Sequence, residues 1–171
     1  MSLLKRLRTD QSGLAGVEFA LISTFLIYGL LNGLELARWY LQQMQVKNAA
    51  HSAAHAAWKA CDINKLPAKT NCPGLNTAIS NALASTSLGT AVTATSTEGY
   101  YCIKTDGTMQ SVGNYDAAKP ANCGAAGDSS RTPGDYLMIS ASYTFAPMFP
   151  GFTVGSRLPT GMTATSSMRL L

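Results

Sequence analysis

The chain has 171 residues, a formal net charge of +4 and only 13% charged residues, and Ser, Thr, Ala, Gly and Asn dominate its second half. That length suits one domain plus an anchor. So mild a basic balance, with no basic patch interleaved with aromatics, argues against nucleic acid as a partner, and the composition fits an exported surface protein better than a cytosolic enzyme.

The first element is an apolar run. From Leu14 to Leu34 there are 21 residues, and Glu18 is the only charged one. About 20 apolar residues cross the hydrocarbon core of a bilayer as a helix. A charge inside such a helix costs on the order of 3 kcal/mol on insertion scales, so Glu18 is a functional clue. Lys5, Arg6 and Arg8 precede the run, opposed only by Asp10. This asymmetry predicts a cytoplasmic N-terminus and an outward C-terminus. Asp10, Gln11, Ser12 and Gly13 are poor helix-interior formers and predict an unwound segment ahead of the helix.

The helix is expected to continue past the membrane, because no proline occurs between Leu14 and Ala60. At 1.5 Å per residue it would be roughly 70 Å long. Leu36, Tyr40, Met44, Ala50 and Ala54 form an intermittent stripe on it, and Trp58 reads as a core residue where the helix meets a head. Gly29 and Gly33 make a G-x-x-x-G step that permits close helix packing. His51 and His55 stand four apart, a spacing that can place two imidazoles on one metal. Ser52 occupies the position where the zinc motif needs Glu, so no metal or other cofactor is expected.

After Pro67 and the Cys72-Pro73-Gly74 turn, a second helix is expected from about Leu75 to Leu88. Leu75, Ile79, Ala82 and Leu83 share one side of it, and Gly89 closes it. Strand signals follow at Thr90 to Thr97 and Tyr100 to Lys104. A Gly-, Ala- and Asp-rich loop is expected between Gly113 and Gly134. The cleanest strand is Tyr136 to Ala146, with Leu137, Ile139, Ala141, Tyr143 and Phe145 alternating against Ser140, Ser142 and Thr144. Past a Pro147 to Gly151 loop, Met162, Ala164, Ser166, Met168 and Leu170 alternate against Thr163, Thr165, Ser167 and Arg169. The fold class is therefore α+β, a long N-terminal helix packed on a small antiparallel sheet.

Cys61, Cys72, Cys102 and Cys123 all follow the apolar run. An even count in an exported domain reads as disulfides. Four cysteines allow three pairings, and proximity favours Cys61–Cys72 and Cys102–Cys123. Each would contribute roughly 3 kcal/mol on the chain-entropy estimate. No nucleophile elbow or phosphate loop occurs, and the head has no His to act as a base, so no catalytic residue is expected.

A short basic leader, Gly13, then Glu18 five residues on with Phe19 after it, resembles the processing signature of prepilins. The Glu-aromatic form, the stretch Gly33-Leu34-Glu35-Leu36-Ala37-Arg38-Trp39-Tyr40 and the strand ending Tyr143-Thr144-Phe145-Ala146-Pro147 are similar to TadE-like minor pilins of the Tad (Flp) branch of type IV pili. Length sets it apart from the short major Flp pilin and the long TadG-like proteins; TadF-like proteins stand close behind. Leu14-Ala15-Gly16-Val17 departs from the Phe-first start of type IVa pilins and type II secretion pseudopilins.

The resemblance implies a prepilin peptidase cut between Gly13 and Leu14, with Glu18 and Phe19 as subunit-assembly residues. It implies a leader over 1–13, a helix over 14–60 spanning the membrane at about 14–36, and an exported head over 61–171. The implied partners are the peptidase, other pilins, the pilus assembly platform and the inner membrane. The implied role is structural, with a part in adhesion or biofilm formation. A membrane-anchored ligand-binding or adhesion domain and a type II secretion pseudopilin are the competing readings. An ordinary anchor would hold Glu18 at headgroup level, and a signal peptide would not tolerate Glu18 inside its apolar core.

Overall fold

A computed structural model of the chain describes residues 12–170. Helix α1 runs from Ser12 to Ala60. Its sequence lacks proline and is rich in Ala, Leu and Gln, which cost little in a helix interior. Ser12 and Gly13 are helical, not unwound as their composition suggests. Lys5, Arg6, Arg8, Asp10 and Gln11 lie outside the described residues.

The chain divides into two compact units. One holds α1 up to Tyr40 together with Ala146–Leu158; the other holds Leu41–Phe145 and Pro159–Leu171. In the second unit, a four-stranded antiparallel sheet has the order β2-β1-β3-β4, with β1 at Thr93–Ile103, β2 at Met109–Asn114, β3 at Gly134–Thr144 and β4 at Gly161–Arg169. The α1 segment after Tyr40 packs on this sheet, so the fold is α+β as expected.

The seam is made of small side chains. Val46, Ala49, Ala50, Ala53, Ala54 and Ala57 are buried, a stripe at three- and four-residue steps. Leu36, Tyr40 and Met44, expected on the packing stripe, are exposed instead, and Trp58 is half exposed rather than in the core. Alanines let the helix backbone approach the sheet, and larger neighbours are turned away from it. On β3, Leu137, Ile139 and Ala141 are fully buried, as is Phe145 just past its end. The alternation in β3 is therefore the predicted one, although Tyr143 is only half buried. On β4, Met162 and Ser166 are buried, as is Leu170 beyond it. Two hydrogen bonds fasten the seam: Gln42 Nε2 donates to the Tyr143 hydroxyl at 3.2 Å, and His51 Nδ1 shares one with Ser166 Oγ at 3.0 Å.

Two strand signals expected to be separate form the single strand β1. Gly99 does not break it. A Cβ there would lie 2.9 Å from the Gly113 carbonyl oxygen, so glycine serves the close approach of β2. The β1–β2 hairpin turns at Asp106-Gly107, where Gly107 has φ +81° and Asp106 Oδ1 accepts the Thr108 N–H. Helix α2 (Ala68–Asn71) is one turn long, and helix α3 runs from Leu75 to Ala84 with Leu75, Ile79 and Leu83 buried. It stops short of Gly89 because the Ser85 and Thr86 hydroxyls donate to the carbonyls of Ala82 and Leu83, each at 2.7 Å.

Both cysteine pairs favoured by proximity are joined, Cys61 to Cys72 and Cys102 to Cys123. The second fastens the Gly113 to Gly134 segment to β1. There, Cys123 also forms a bridge with Asp128. Buried Glu98 on β1 accepts the N–H groups of Ala68 and Lys69, one per carboxylate oxygen, each at 2.7 Å. Nearby Asp135 on β3 is buried too, and its Oδ1 has no hydrogen-bond partner among the described residues. Burial first, and the Glu98 charge second, push its carboxyl up to about 6, with Lys119 pulling the other way.

Candidate functional site

The apolar part of α1 is bare on every side. Val17, Phe19, Leu21, Ile22, Phe25, Leu26, Ile27, Leu30 and Leu34 are all exposed. A helix apolar all round belongs in a membrane or inside a helix bundle. This one is long and apolar enough to cross a membrane.

Glu18 stands exposed on this surface, and among the described residues it makes no hydrogen bond or ion pair. Phe19, next to it, is 74% exposed. Both expected assembly residues thus sit where another molecule can reach them. A Cβ added at Gly29 or Gly33 would meet nothing within 4 Å, so the G-x-x-x-G step is open as well. Gly13 and Leu14 lie in the first turns of α1. Among the described residues, no group of three or more metal-ligating side chains occurs. His55 is exposed, while His51 is engaged with Ser166.

A second constellation lies higher on the same helix. Asn32, Glu35 and Arg38 recur every three residues and so share a face. Each takes one backbone group of the Ala146–Leu158 loop: Arg38 Nη1 donates to the Ala146 carbonyl at 3.0 Å, Glu35 Oε1 accepts the Met148 N–H at 2.9 Å, and Asn32 Oδ1 accepts the Val154 N–H at 2.8 Å. Glu35 is only 1% exposed, and its Oε2 has no hydrogen-bond partner among the described residues. Gly155 covers it closely, for a Cβ there would lie 2.7 Å from Glu35 Oε1. In the sequence, Glu35 and Arg38 stand out only through the resemblance carried by Gly33 to Tyr40. Their spacing with Asn32 at the end of an apolar run was the available signal.

Residues 13–55 match the model of the TadE-like protein family. This segment is similar to that family. No curated protein and no solved structure matches the chain. The TadE-like match contains Gly13, Glu18, Phe19, the glycine step and the Asn32–Glu35–Arg38 ladder. In general terms the match suggests a Tad pilus-related minor pilin. The apolar helix fits a single-pass membrane pilin of that kind.

Proposed function

We propose that the chain is a TadE-like minor pilin or pseudopilin, trimmed by a prepilin peptidase between Gly13 and Leu14 and built into or onto a Tad-type pilus. It enters the inner membrane with its basic N-terminus in the cytoplasm and its disulfide-bonded head outside. In the pilus it serves assembly, and through it adhesion or biofilm formation, and it catalyses no reaction. The observation that carries this reading is the start of the TadE-like match at Gly13, the residue before the expected cut, with Glu18 five positions on.

Trimming frees an ammonium on Leu14 one helical turn or so from Glu18. The carboxylate is favoured there by the dipole at the new helix N-terminus. Pairing with the N-terminal amine of a neighbouring subunit would neutralise it in the filament. Gly13 leaves the peptidase free access to the backbone because it has no side chain. Gly13→Leu is therefore expected to leave the leader uncut.

N-terminal sequencing and intact mass of the protein from native membranes, with and without the prepilin peptidase gene, test the reading. The expected result is a chain starting at Leu14 only where the peptidase is present. A retained leader in both strains, or full trimming of Gly13→Leu, would overturn it.

A further inference from the structure

The Ala146–Leu158 loop carries three apolar side chains pointing into open space: Met148 is 60% exposed, Phe149 36% and Phe152 80%. In water such a cluster is a liability. Its position suggests another solvent. Phe149 and Phe152 line one apolar hollow with Thr24, Ile27, Tyr28 and Leu31 of α1. Counted from Leu14 at 1.5 Å per residue, those helix positions lie about 15 to 26 Å into a hydrocarbon core about 30 Å thick. By the same count the loop leaves the Arg38 level at about 36 Å and passes Glu35 at about 32 Å. It dips beside Tyr28 and returns at Asn32, about 27 Å.

Irregular backbone survives at membrane depth only when its polar groups are satisfied by protein. Most of the N–H groups of this loop are bonded within the protein. Pro147 and Pro150 have no N–H to satisfy. The Met148 and Val154 N–H groups go to Glu35 and Asn32, and the Gly151 N–H goes to Ser156 Oγ at 2.8 Å. Those of Phe152 and Thr153 both reach the Phe149 carbonyl, at 3.2 and 3.3 Å, while Ser156 and Leu158 bond to Thr153 and Gly155. The one charged side chain of the loop, exposed Arg157, lies three residues past Val154, where a long stem can carry its guanidinium to the headgroups.

We propose that this loop is a lipid-inserted foot, with Phe149 and Phe152 seated among the acyl chains of the leaflet on the head's side of the membrane. The inference rests on the reading of α1 as a membrane anchor. It adds a second membrane contact outside α1, one that must leave lipid when the subunit leaves the bilayer.

Phe152→Trp, in full-length chain with Trp39→Phe and Trp58→Phe, provides a single fluorophore at the loop tip. In vesicles of phosphatidylethanolamine and phosphatidylglycerol, its emission is expected to be blue-shifted. Lipids brominated along the acyl chain are expected to quench it several-fold more than aqueous acrylamide does. Phe149→Trp in the same background is a second reporter and is expected to behave alike. Vesicle-bound protein in which both reporters are quenched by acrylamide and spared by brominated lipid would overturn the foot while leaving the anchor standing. Protein that does not sediment with vesicles would overturn both.

Discussion

Glu35 is held under a loop at the end of the apolar run of α1, where it accepts a backbone N–H. Removing the carboxylate leaves the Met148 N–H unpaired, which costs about 1–3 kcal/mol for a buried group. Glu35→Ala is therefore expected to loosen the Ala146–Leu158 loop, seen as faster protease cleavage after Arg157. Glu35→Gln keeps an acceptor oxygen and should stay close to wild type. Asp135 is the opposite case, a buried acid with a poor complement of partners. Its carboxyl is raised to about 6 in the fold from an ordinary 3.8. The folded state therefore holds a proton that the unfolded chain releases. The stability this provides is full below about pH 3.8 and is lost as pH rises through about 6. Asp135→Asn should raise stability at pH 7 by on the order of 1 kcal/mol, after allowance for solvent screening. Thermal melts at pH 5 and 7 would record it as a variant whose midpoint varies less over that interval.

Among the elements, the strands were the most readable from sequence. The alternation in Tyr136 to Ala146 reports a half-buried surface directly, since its period of two is a property of the backbone. β2 was missed because Gln110-Ser111-Val112 has little alternation; the Asp106-Gly107 turn beside it was the better signal. The helix seam is legible only in part: Ala50 and Ala54 of the expected stripe are buried, whereas Leu36, Tyr40 and Met44 are exposed. On a helix long and apolar enough to cross a membrane, large apolar side chains need not mark the core. Only the alanine spacing, from Ala49 to Ala57, shows which side approaches the sheet. The polar ladder was hidden because its partners lie more than 100 residues away in sequence and are backbone groups. Close approach makes the seam intolerant of bulk. Ala53 is fully buried, and Ala53→Leu is expected to destabilise the head by about 1–3 kcal/mol through overpacking. At this chain length that is a drop of roughly 2–12 °C in the melting midpoint. Ala56→Leu, one turn away at a less buried position, should cost less, and equal losses would contradict the alanine seam.

At the scale of the whole molecule, the proposed function asks what would move an apolar helix from lipid into a filament. Lipid tails are as apolar as leucine, so exchanging one for the other gains little hydrophobic energy. Close packing and polar groups must then supply direction. Along Leu14 to Leu34 the one charge is Glu18, and the small-residue step is Gly29 and Gly33. A charge such as Glu18 is unfavourable in a bilayer by on the order of 3 kcal/mol, and in the proposed filament it would gain a partner when subunits meet. On the proposed pilin reading, this difference would give the carboxylate its part in assembly and make it dispensable for anchoring. Glu18→Ala should therefore reach the membrane in normal amount and be trimmed at Gly13, yet fall at least tenfold in the sheared pilus fraction. Quantitative immunoblots of membranes and of pili from the same cells measure both. A mutant as abundant in pili as wild type would mean that the apolar surface and the glycine step assemble the subunit without the charge.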